Sequence, residues 1–280
     1  KTPTKSELPL FTIGTHALIQ SNETSKKLGM IIIDEQHKFG VTQRDKLLRR
    51  GAHPHLLVMT ATPIPRTMGL TLYGDLDIST LEEMPAGRGS LKTYLRTANS
   101  RPKVLSFLKK QIGTGRQAYF VFPRVEEKEE SEITAVTKEL SVLSEYFAPF
   151  RVAMVHGKMK SEEKDRIMRS FSDGETQILL ATTVIEVGVD VPNATVMVIE
   201  DAEQFGLAQL HQIRGRIGRG LHASHCILIG DETKKEAWER LKVLEQTRDG
   251  FLISEADFKV RGAGELAGKQ QSGLPRWRYL

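Results

Sequence analysis

The sequence has few of the residues that stabilise secreted or membrane-embedded proteins. Cys226 is its only cysteine, which excludes a disulfide within the chain and a zinc site built on several cysteines. No apolar run reaches the roughly 18 residues that a membrane-spanning helix needs, and the opening residues lack the apolar stretch of a secretory signal. These absences predict a cytoplasmic protein with no membrane partner, in which Cys226 is a buried strand residue.

The remaining composition is that of a globular protein large enough for two domains. The chain has 280 residues, of which 39% are hydrophobic and 27% charged, and domains usually need roughly 100–200 residues each. Its formal net charge is +5. An excess of basic residues favours polyanionic partners, although many basic proteins bind no nucleic acid.

Short apolar runs alternate with helical patterns along most of the chain. The runs are continuous rather than alternating, which is typical of strands buried on both faces of a parallel sheet. They are residues 30–33, 56–59, 118–122, 152–155, 178–181, 196–199 and 226–229. Helical spacing predicts helices at 102–112, 131–147 and 233–246, and a further one that starts with Ser161 as its N-cap. This alternation predicts a doubly wound α/β fold.

A stretch rich in glycine and proline, residues 83–90, is the best candidate for a linker between domains. We therefore predict a first domain at residues 1–85, a second at 86–232 and a C-terminal extension at 233–280. The first domain has only two clear strands, which is few for a complete sheet. We expect it to be truncated and to expose apolar surface.

The first apolar run ends in two adjacent carboxylates, Asp34 and Glu35. Ligands of open α/β sheets bind at the carboxyl ends of the strands. An aspartate there can hold Mg²⁺ through its water shell, and the glutamate beside it can take a proton from the water that attacks a γ-phosphate. The pair could instead be loop acids that cap the next helix, or could form a metal site with His37, although that spacing suits neither a strand face nor a helix face.

Two further strand ends carry hydroxyl groups. Thr60 and Thr62 follow the second apolar run, where they could link a phosphate-sensing site to a neighbouring one, although threonine and proline are also common in simple turns. Thr182 and Thr183 follow the fifth run, before an expected helix N-terminus that suits a nucleic-acid phosphate. The alternative for this second pair is a strand followed by a capped helix.

Arginines and glycines alternate at the end of the stretch from Gln212 to Arg219. Arg216 and Arg219, three residues apart, would lie on one side of a helix or at its end. The guanidinium fork suits phosphate, and an arginine supplied across a cleft stabilises the charge on a transferring phosphoryl group. Gly188 and Asp190 could line the same nucleotide cleft. The alternative is a solvated basic helix end.

Together these runs resemble the helicase motifs of superfamily 2, in the same order along the chain. Residues 34–37 resemble motif II, 60–62 motif III, 181–190 motif V and 212–219 motif VI. Stretches at 14–20, 206–220 and 261–273 resemble the RecG family in particular, and the last of them resembles its TRG motif. The resemblance extends over residues 11–275. Transcription-repair coupling translocases are the alternative family, in which the position of Gln36 usually holds glutamate.

The RecG resemblance implies an ATP-dependent translocase that acts on branched double-stranded DNA, such as replication forks and Holliday junctions, in recombination and repair. It implies two RecA-like lobes with doubly wound parallel sheets, the first of them truncated, and a small C-terminal helical hairpin. ATP and Mg²⁺ would be the cofactors. The protein would be monomeric, with a single-stranded-DNA-binding protein as a partner.

The resemblance also implies a role for each matching residue. The catalytic residues would be Asp34, which holds Mg²⁺ through water, with Glu35, Gln36, His37, Arg216 and Arg219. The nucleotide would be bound by Gly188, Asp190 and Gln212. Coupling to DNA movement would depend on Thr60, Thr62, Arg261 and Gln271. DNA would be contacted by Gly14, Thr15, His16, Thr182 and Thr183. The acids would then face the paired arginines across a cleft.

One part of such a motor does not occur in the sequence. No glycine-rich loop ends in Gly-Lys-Thr or Gly-Lys-Ser, the loop whose N–H groups and lysine cradle phosphates. We therefore predict that this chain by itself hydrolyses ATP poorly. The alternatives are a non-catalytic DNA-binding module and an unrelated metal-dependent hydrolase built on Asp34 and Glu35, which leaves the paired arginines unexplained.

Overall fold

The computed structural model describes most of the second half of the chain and shorter parts of the first. The described residues are 11–15, 18, 28–35, 46–49, 51, 54–60, 77–81, 83, 87–123, 129–182 and 190–267, with the backbone alone at 129–135 and 260–267. The chain divides into two compact units, residues 1–61 with 261–280, and residues 62–260. The domain boundaries expected from the sequence stay a prediction.

The described sheet of the first unit has two parallel strands, β1 (Met30–Ile33) and β2 (His55–Val58). Their register places Ile33 opposite Val58, and the Met59 N–H donates to the Ile33 carbonyl at 2.8 Å. The two strands therefore end at the same edge of the sheet. Both were predicted from their apolar runs, and both predictions are confirmed.

The burial of β1 differs from the expectation that both faces of the strand are covered. Ile31 and Ile33 are buried, whereas Met30 and Ile32 are each 51% exposed. One face of β1 is therefore covered and the other is not, and no residue of β2 is fully buried, so the prediction of burial on both faces is wrong for both strands. The exposed apolar surface expected in this region is present.

The second unit is built on a parallel sheet of six described strands. They are β3 (Leu91–Thr97), β4 (Gln117–Phe122), β5 (Val152–Val155), β6 (Ile178–Thr182), β7 (Ala194–Ile199) and β8 (Ser224–Gly230). Their order across the sheet is β3-β8-β7-β4-β6-β5. The interior strands β6 and β7 are buried along their whole length, as continuous apolar runs predict. Because all the strands are parallel, their carboxyl ends meet at one edge, where ligands of such sheets bind.

Helices cover both faces of this sheet and confirm the doubly wound α/β prediction. They are α1 (Arg101–Gly113), α2 (Glu129–Phe147), α3 (Ser161–Ser172), α4 (Leu207–Arg214), α5 (Lys235–Gln246) and α6 (Gly250–Ala267). One core joins α1 and α2 to the sheet through Leu108 and Phe147. The other joins α3, α4 and α5 to it through Phe171, Leu210 and Leu241. Sequential apolar residues of a strand point to opposite cores, which is why the runs are continuous.

Two details of the sequence interpretation need correction. Strand β3 was not expected, because its residues alternate between buried and accessible positions and form no apolar run. The start of α3 is shifted by one residue, because Lys160 occupies the N-cap position in an extended conformation and makes no side-chain cap hydrogen bond. Helix ends are ambiguous by about one residue in any case.

Helix α5 is part of the second unit's core. Its Leu241 and Leu244 pack in the same cluster as Cys226 of β8 and Ile253 of α6. Cys226 is buried as predicted, and burial raises the pKa of its thiol to about 12. In the part of the chain described here, no helix has the length and apolar character needed to cross a membrane.

Candidate nucleotide and nucleic-acid site

The chain turns sharply directly after β1, at the two predicted acids. The Glu35 N–H donates to Oδ1 of Asp34 at 2.8 Å, and Glu35 has a φ of 51°. This left-handed region is sparsely populated by residues other than glycine and costs about 1 kcal/mol or more. Such conformations concentrate at functional sites, which agrees with a special role for this turn.

Thr60 leaves the sheet at the same edge as Asp34. Because β1 and β2 are parallel, with Ile33 opposite Val58, Asp34 directly follows one strand end and Thr60 comes two residues after the other. This is the arrangement expected of an acid and a hydroxyl that respond to the same ligand. Three predicted partners, Gln36, His37 and Thr62, lie outside the described residues.

Gly14 and Thr15 form an exposed turn in the first unit. The Thr15 carbonyl accepts the Leu18 N–H at 2.9 Å, and a Cβ added at Gly14 would lie 2.6 Å from Cγ of Leu18. A side chain at position 14 would therefore require the Leu18 side chain to move. Both residues are accessible, as a DNA contact requires, and the neighbouring His16 lies outside the described residues.

The paired arginines lie in the loop that follows α4. Helix α4 ends at Arg214, so Arg216 and Arg219 are beyond its end rather than on one helical face. Gly218 has a φ of 76°, and a Cβ on Gly220 would lie 2.6 Å from the Pro192 carbonyl oxygen. Glycine is therefore required at both positions for the loop to turn and to pack.

Asp190 contacts Arg219 of this loop, which we name the arginine loop (residues 215–220). Nη1 of Arg219 lies 3.7 Å from Oδ1 of Asp190, and its Nε donates to the Gly215 carbonyl at 3.1 Å. Burial raises the pKa of the Tyr119 hydroxyl in β4 to about 12, while the charges of Arg216 and Arg219 oppose that rise and Asp190 adds to it. All three charged groups are therefore near enough to the buried Tyr119 hydroxyl to influence its pKa.

Arg214 has a role that the sequence interpretation missed. It is only 3% exposed, and its Nη1 donates to the carbonyls of Leu244 and Thr247, at 2.8 and 3.0 Å, and to Oγ1 of Thr93 at 3.2 Å. These partners lie at the end of α5 and in β3. A buried guanidinium thus ties the arginine-bearing segment to the C-terminal helices.

His211 completes this buried network from within α4. Its Nδ1 lies 3.1 Å from Nη2 of Arg214. Burial, and then the charge of Arg214, lower the pKa of His211 to about 4, with Asp249 opposing them. The imidazole is therefore neutral near pH 7, and its Nδ1 accepts the hydrogen bond from the guanidinium.

Some of the remaining predicted site residues lie within the described ranges and others lie outside them. Gln212 lies in the last turn of α4, beside the arginine loop. Thr182 ends β6 but is only 3% exposed, so its hydroxyl is beneath the surface and its DNA contact stays a prediction. The backbone of Arg261 lies in α6. The residues outside the described ranges are Thr183, Gly188 and Gln271.

The acidic turn after β1 fits Mg²⁺ that is held through its water shell, which is the arrangement that the sequence suggests. No cluster of three or more His, Cys, Asp or Glu side chains that could bind a metal occurs within the described ranges. Asp34 is exposed at the strand end, and a lone carboxylate that binds through water is a common arrangement for Mg²⁺ in nucleotide sites. Asp34 and Glu35 belong to the first unit and the arginines to the second. That the acids face the arginines across a cleft therefore stays a prediction.

Comparison with known proteins identifies two families within the chain. The helicase conserved C-terminal domain matches residues 102–220, and the C-terminal part of domain 3 of the ATP-dependent DNA helicase RecG matches residues 247–276. A RecG helicase from Synechocystis is 52% identical over 96% of this chain and 32% of its own length.

Solved structures agree. A RecG structure bound to a three-way DNA junction is 43% identical, with a TM-score of 0.72, over 94% of this chain and 34% of that one. S. cerevisiae Dbp5 bound to RNA and ADP BeF3 is 18% identical over 81% and 58% of the two chains, with a TM-score of 0.54, and shares the fold alone. The chain thus spans about a third of the length of its RecG relatives. The fold of RecA-like helicase lobes, the RecG-specific segment and these identities together place the chain in the RecG family.

Proposed function

We propose that this chain forms part of an ATP-dependent translocase that acts on branched double-stranded DNA. The observation that most supports the proposal is the ion pair between Asp190 and Arg219, in the loop that also carries Arg216. These residues were chosen from two separate motifs, and the fold brings them to one place. The likeness to a RecG bound to a three-way junction supports branched DNA as the substrate.

Each unit would contribute a different part of the ATP site. Mg²⁺, held through water by Asp34, would neutralise phosphate charge, and Glu35 would take the proton of the attacking water. Arg216 and Arg219 would stabilise the negative charge that develops on the transferred phosphoryl group. Asp190 would hold Arg219 in position until the nucleotide replaces it as a partner.

Movement on DNA would follow from the nucleotide state. ATP would bind the closed arrangement of the two lobes more tightly than the open one, and hydrolysis would reverse that preference. Thr60 would respond to changes at the two acids. Arg214, through its hydrogen bonds at the end of α5, would couple movement of the arginine loop to α5 and α6. Contacts by Gly14 and Thr15 would be made to phosphates and would therefore be largely independent of DNA sequence.

Several finer expectations belong to the same proposal. A monomeric state, a cytoplasmic location and a single-stranded-DNA-binding protein as partner rest on the family resemblance alone. So do the roles of Gln36, His37, Thr62, Gly188 and Gln271, which complete the same motifs. The use of ATP and Mg²⁺ is supported by the family and by the chemistry of the acidic turn.

The Glu35→Gln substitution tests the catalytic assignment in a protein that carries this chain together with a phosphate-binding loop. We expect DNA-stimulated ATP turnover to fall at least about a hundredfold, because a general base contributes typically 10²–10⁴ in rate, while nucleotide affinity is retained. Glu232→Gln, in an exposed loop, makes the same charge change and should leave turnover unaltered. Unchanged turnover in Glu35→Gln would remove the assigned role.

The 280-residue chain alone distinguishes the motor from a non-catalytic DNA-binding module. We expect it to bind branched duplex DNA with an affinity that falls as salt rises and to turn ATP over poorly. Measured ATP turnover at the rate of an intact motor would contradict that expectation. Absence of any salt-dependent DNA binding would count against both the motor and the module.

A further inference from the structure

The arginine loop is held in the first half and again at its end, and the second attachment is to a distant part of the chain. In its first half, Ile217 is 3% exposed and belongs to the core of the second unit. At its end, the Gly220 carbonyl accepts a hydrogen bond from the Gly89 N–H at 2.8 Å. Gly89 lies in the stretch predicted as a linker, so this stretch and the arginine loop are bonded to each other.

The segment that leads from this stretch into β3, residues 87–91, lies against the arginine loop. We name it the anchor segment. A Cβ added at Gly89 would clash with the His222 carbonyl oxygen, and one added at Gly218 would lie 3.6 Å from Cβ of Leu91. Two backbones therefore approach closely at Gly89, and the Leu91 side chain lies beside the glycine turn of the loop.

Strand pairing ties the anchor segment to the sheet. The Ser224 N–H donates to the Ser90 carbonyl at 2.7 Å, and the parallel register then pairs Leu91 with Ser224 at the start of β8. Leu91 also packs against the core that contains Ile217. The anchor segment therefore connects the sheet to the arginine loop.

We propose that the anchor segment positions Arg219 for contact with a phosphate, an inference that rests on the proposed function. Arg219 stands between Gly218 and Gly220, the two loop residues that the anchor segment faces. Its Nε is bonded to the Gly215 carbonyl at 3.1 Å. With the backbone held on both sides, only the outer part of the guanidinium adjusts to a ligand. Misplacement of a reacting group by about 1 Å can lower a rate about a hundredfold.

The alternative is that the anchor segment only begins an edge strand. Strand β3 does lie at the edge of the sheet, and loss of the segment's contacts would then lower stability without a specific effect on the arginines. The close approach at Gly89 favours positioning, because the start of a strand does not require a backbone without a side chain, whereas contact with a second backbone does.

Hydrogen exchange of the 280-residue chain measures the anchoring directly. The amides of residues 215–217 donate to carbonyls of α4, so their exchange reports whether the arginine loop stays in place. We expect Gly89→Pro, which removes the donor to Gly220, to speed this exchange at least about tenfold. Ser90→Pro adds the same ring one residue later and keeps the Gly89 N–H, so exchange should stay within about twofold.

A second pair of variants covers the case in which Gly89→Pro does not fold. Leu91→Ala and Leu105→Ala each remove a partly buried leucine side chain, from the two different cores of the second unit. We expect Leu91→Ala to speed exchange at the arginine loop at least about threefold, and Leu105→Ala to leave it unchanged. Equal exchange within each pair of variants would overturn the proposal.

ATP turnover tests the link to Arg219, in a protein that carries this chain together with a phosphate-binding loop. We expect Gly89→Pro to lower kcat at least about tenfold while nucleotide affinity changes less than about threefold. Arg219→Ala should lower kcat about 10³-fold or more. Adding Gly89→Pro to Arg219→Ala should change kcat by less than about twofold, because the segment acts through the arginine. Effects that multiply in the double variant would contradict the positioning role.

Failure of the proposed function gives a different result. Unchanged turnover in Arg219→Ala would remove that arginine from the ATP site, and the proposed function and the positioning role would fall together. The exchange measurements need no ATP, so they still decide whether the anchor segment holds the arginine loop. Unchanged kcat in Gly89→Pro, together with a large loss in Arg219→Ala, would overturn the positioning role alone.

Discussion

The last turn of α4 and the arginine loop after it use the same residue type in opposite ways. Arg214, in the helix, is 3% exposed and reaches three oxygens and a ring nitrogen. The Arg219 side chain, in the loop, is 29% exposed and faces one carboxylate at 3.7 Å. The buried guanidinium has all its partners within the protein, whereas the exposed one can exchange its partner for a ligand.

The physical consequence is a large difference in what each arginine contributes to stability. Hydrogen bonds to a buried charged group contribute about 1.5–3 kcal/mol each, and an ion pair at the surface contributes about 0–1 kcal/mol. Arg214, which stabilises the fold, and Arg219, which can bind a ligand, are thus five residues apart along the chain. The comparison predicts a graded series of effects on the free energy of unfolding.

The largest effect is expected for Arg214→Ala. It would leave the buried carbonyls of Leu244 and Thr247 without their donor and open a void beside Thr93. We expect a loss of about 3 kcal/mol in the free energy of unfolding, measured by urea denaturation. Arg169→Ala, at an exposed position of α3, should change it by less than about 0.5 kcal/mol. Similar small losses in both variants would show that the buried Arg214 contributes no more to stability than an exposed arginine.

A smaller effect is expected from His211 and depends on pH. Its pKa in the folded chain is about 4, below the ordinary value of about 6.5. As the pH falls from about 6.5 towards 4, the unfolded chain takes up a proton that folded His211 does not, so stability is lost.

The His211→Gln variant measures that contribution. Relative to it, the wild-type chain should lose about 1–2 kcal/mol more between pH 6.5 and pH 5, and above pH 7 the two unfolding free energies should not diverge further with pH. Identical pH profiles from urea denaturation would mean that His211 is not held neutral by its surroundings.

The fold of the second unit was largely predictable from the sequence, and the exception is instructive. Strands β6 and β7 are buried throughout and are apolar at every position except Thr182 and Thr195, so their runs are easily recognised. Strand β3 lies at the edge of the sheet, and the exposed Lys92 and Arg96 interrupt its apolar residues. Its identity depends on pairing with β8, which no local pattern contains.

Of the candidate site, one contact was predictable from the sequence. Asp190 and Arg219 were both assigned to one nucleotide cleft, and they are in contact. The role of Arg214 was missed, because spacing within a motif does not tell which arginine is buried. Its partners Leu244 and Thr247 are separated from it by 30 and 33 residues and become neighbours only when α5 packs beside α4.

The smallest effect is expected for Asp190→Asn, which removes the partner of Arg219. The Asp190 side chain is 53% exposed, so water screens the pair, and the free energy of unfolding should change by less than about 0.5 kcal/mol. Urea denaturation of the variant at low and at high salt checks this, because any contribution of a surface pair shrinks as salt rises. A salt-independent loss comparable with that of Arg214→Ala would make the Asp190–Arg219 pair structural, and Arg219 would then not be available for a phosphate.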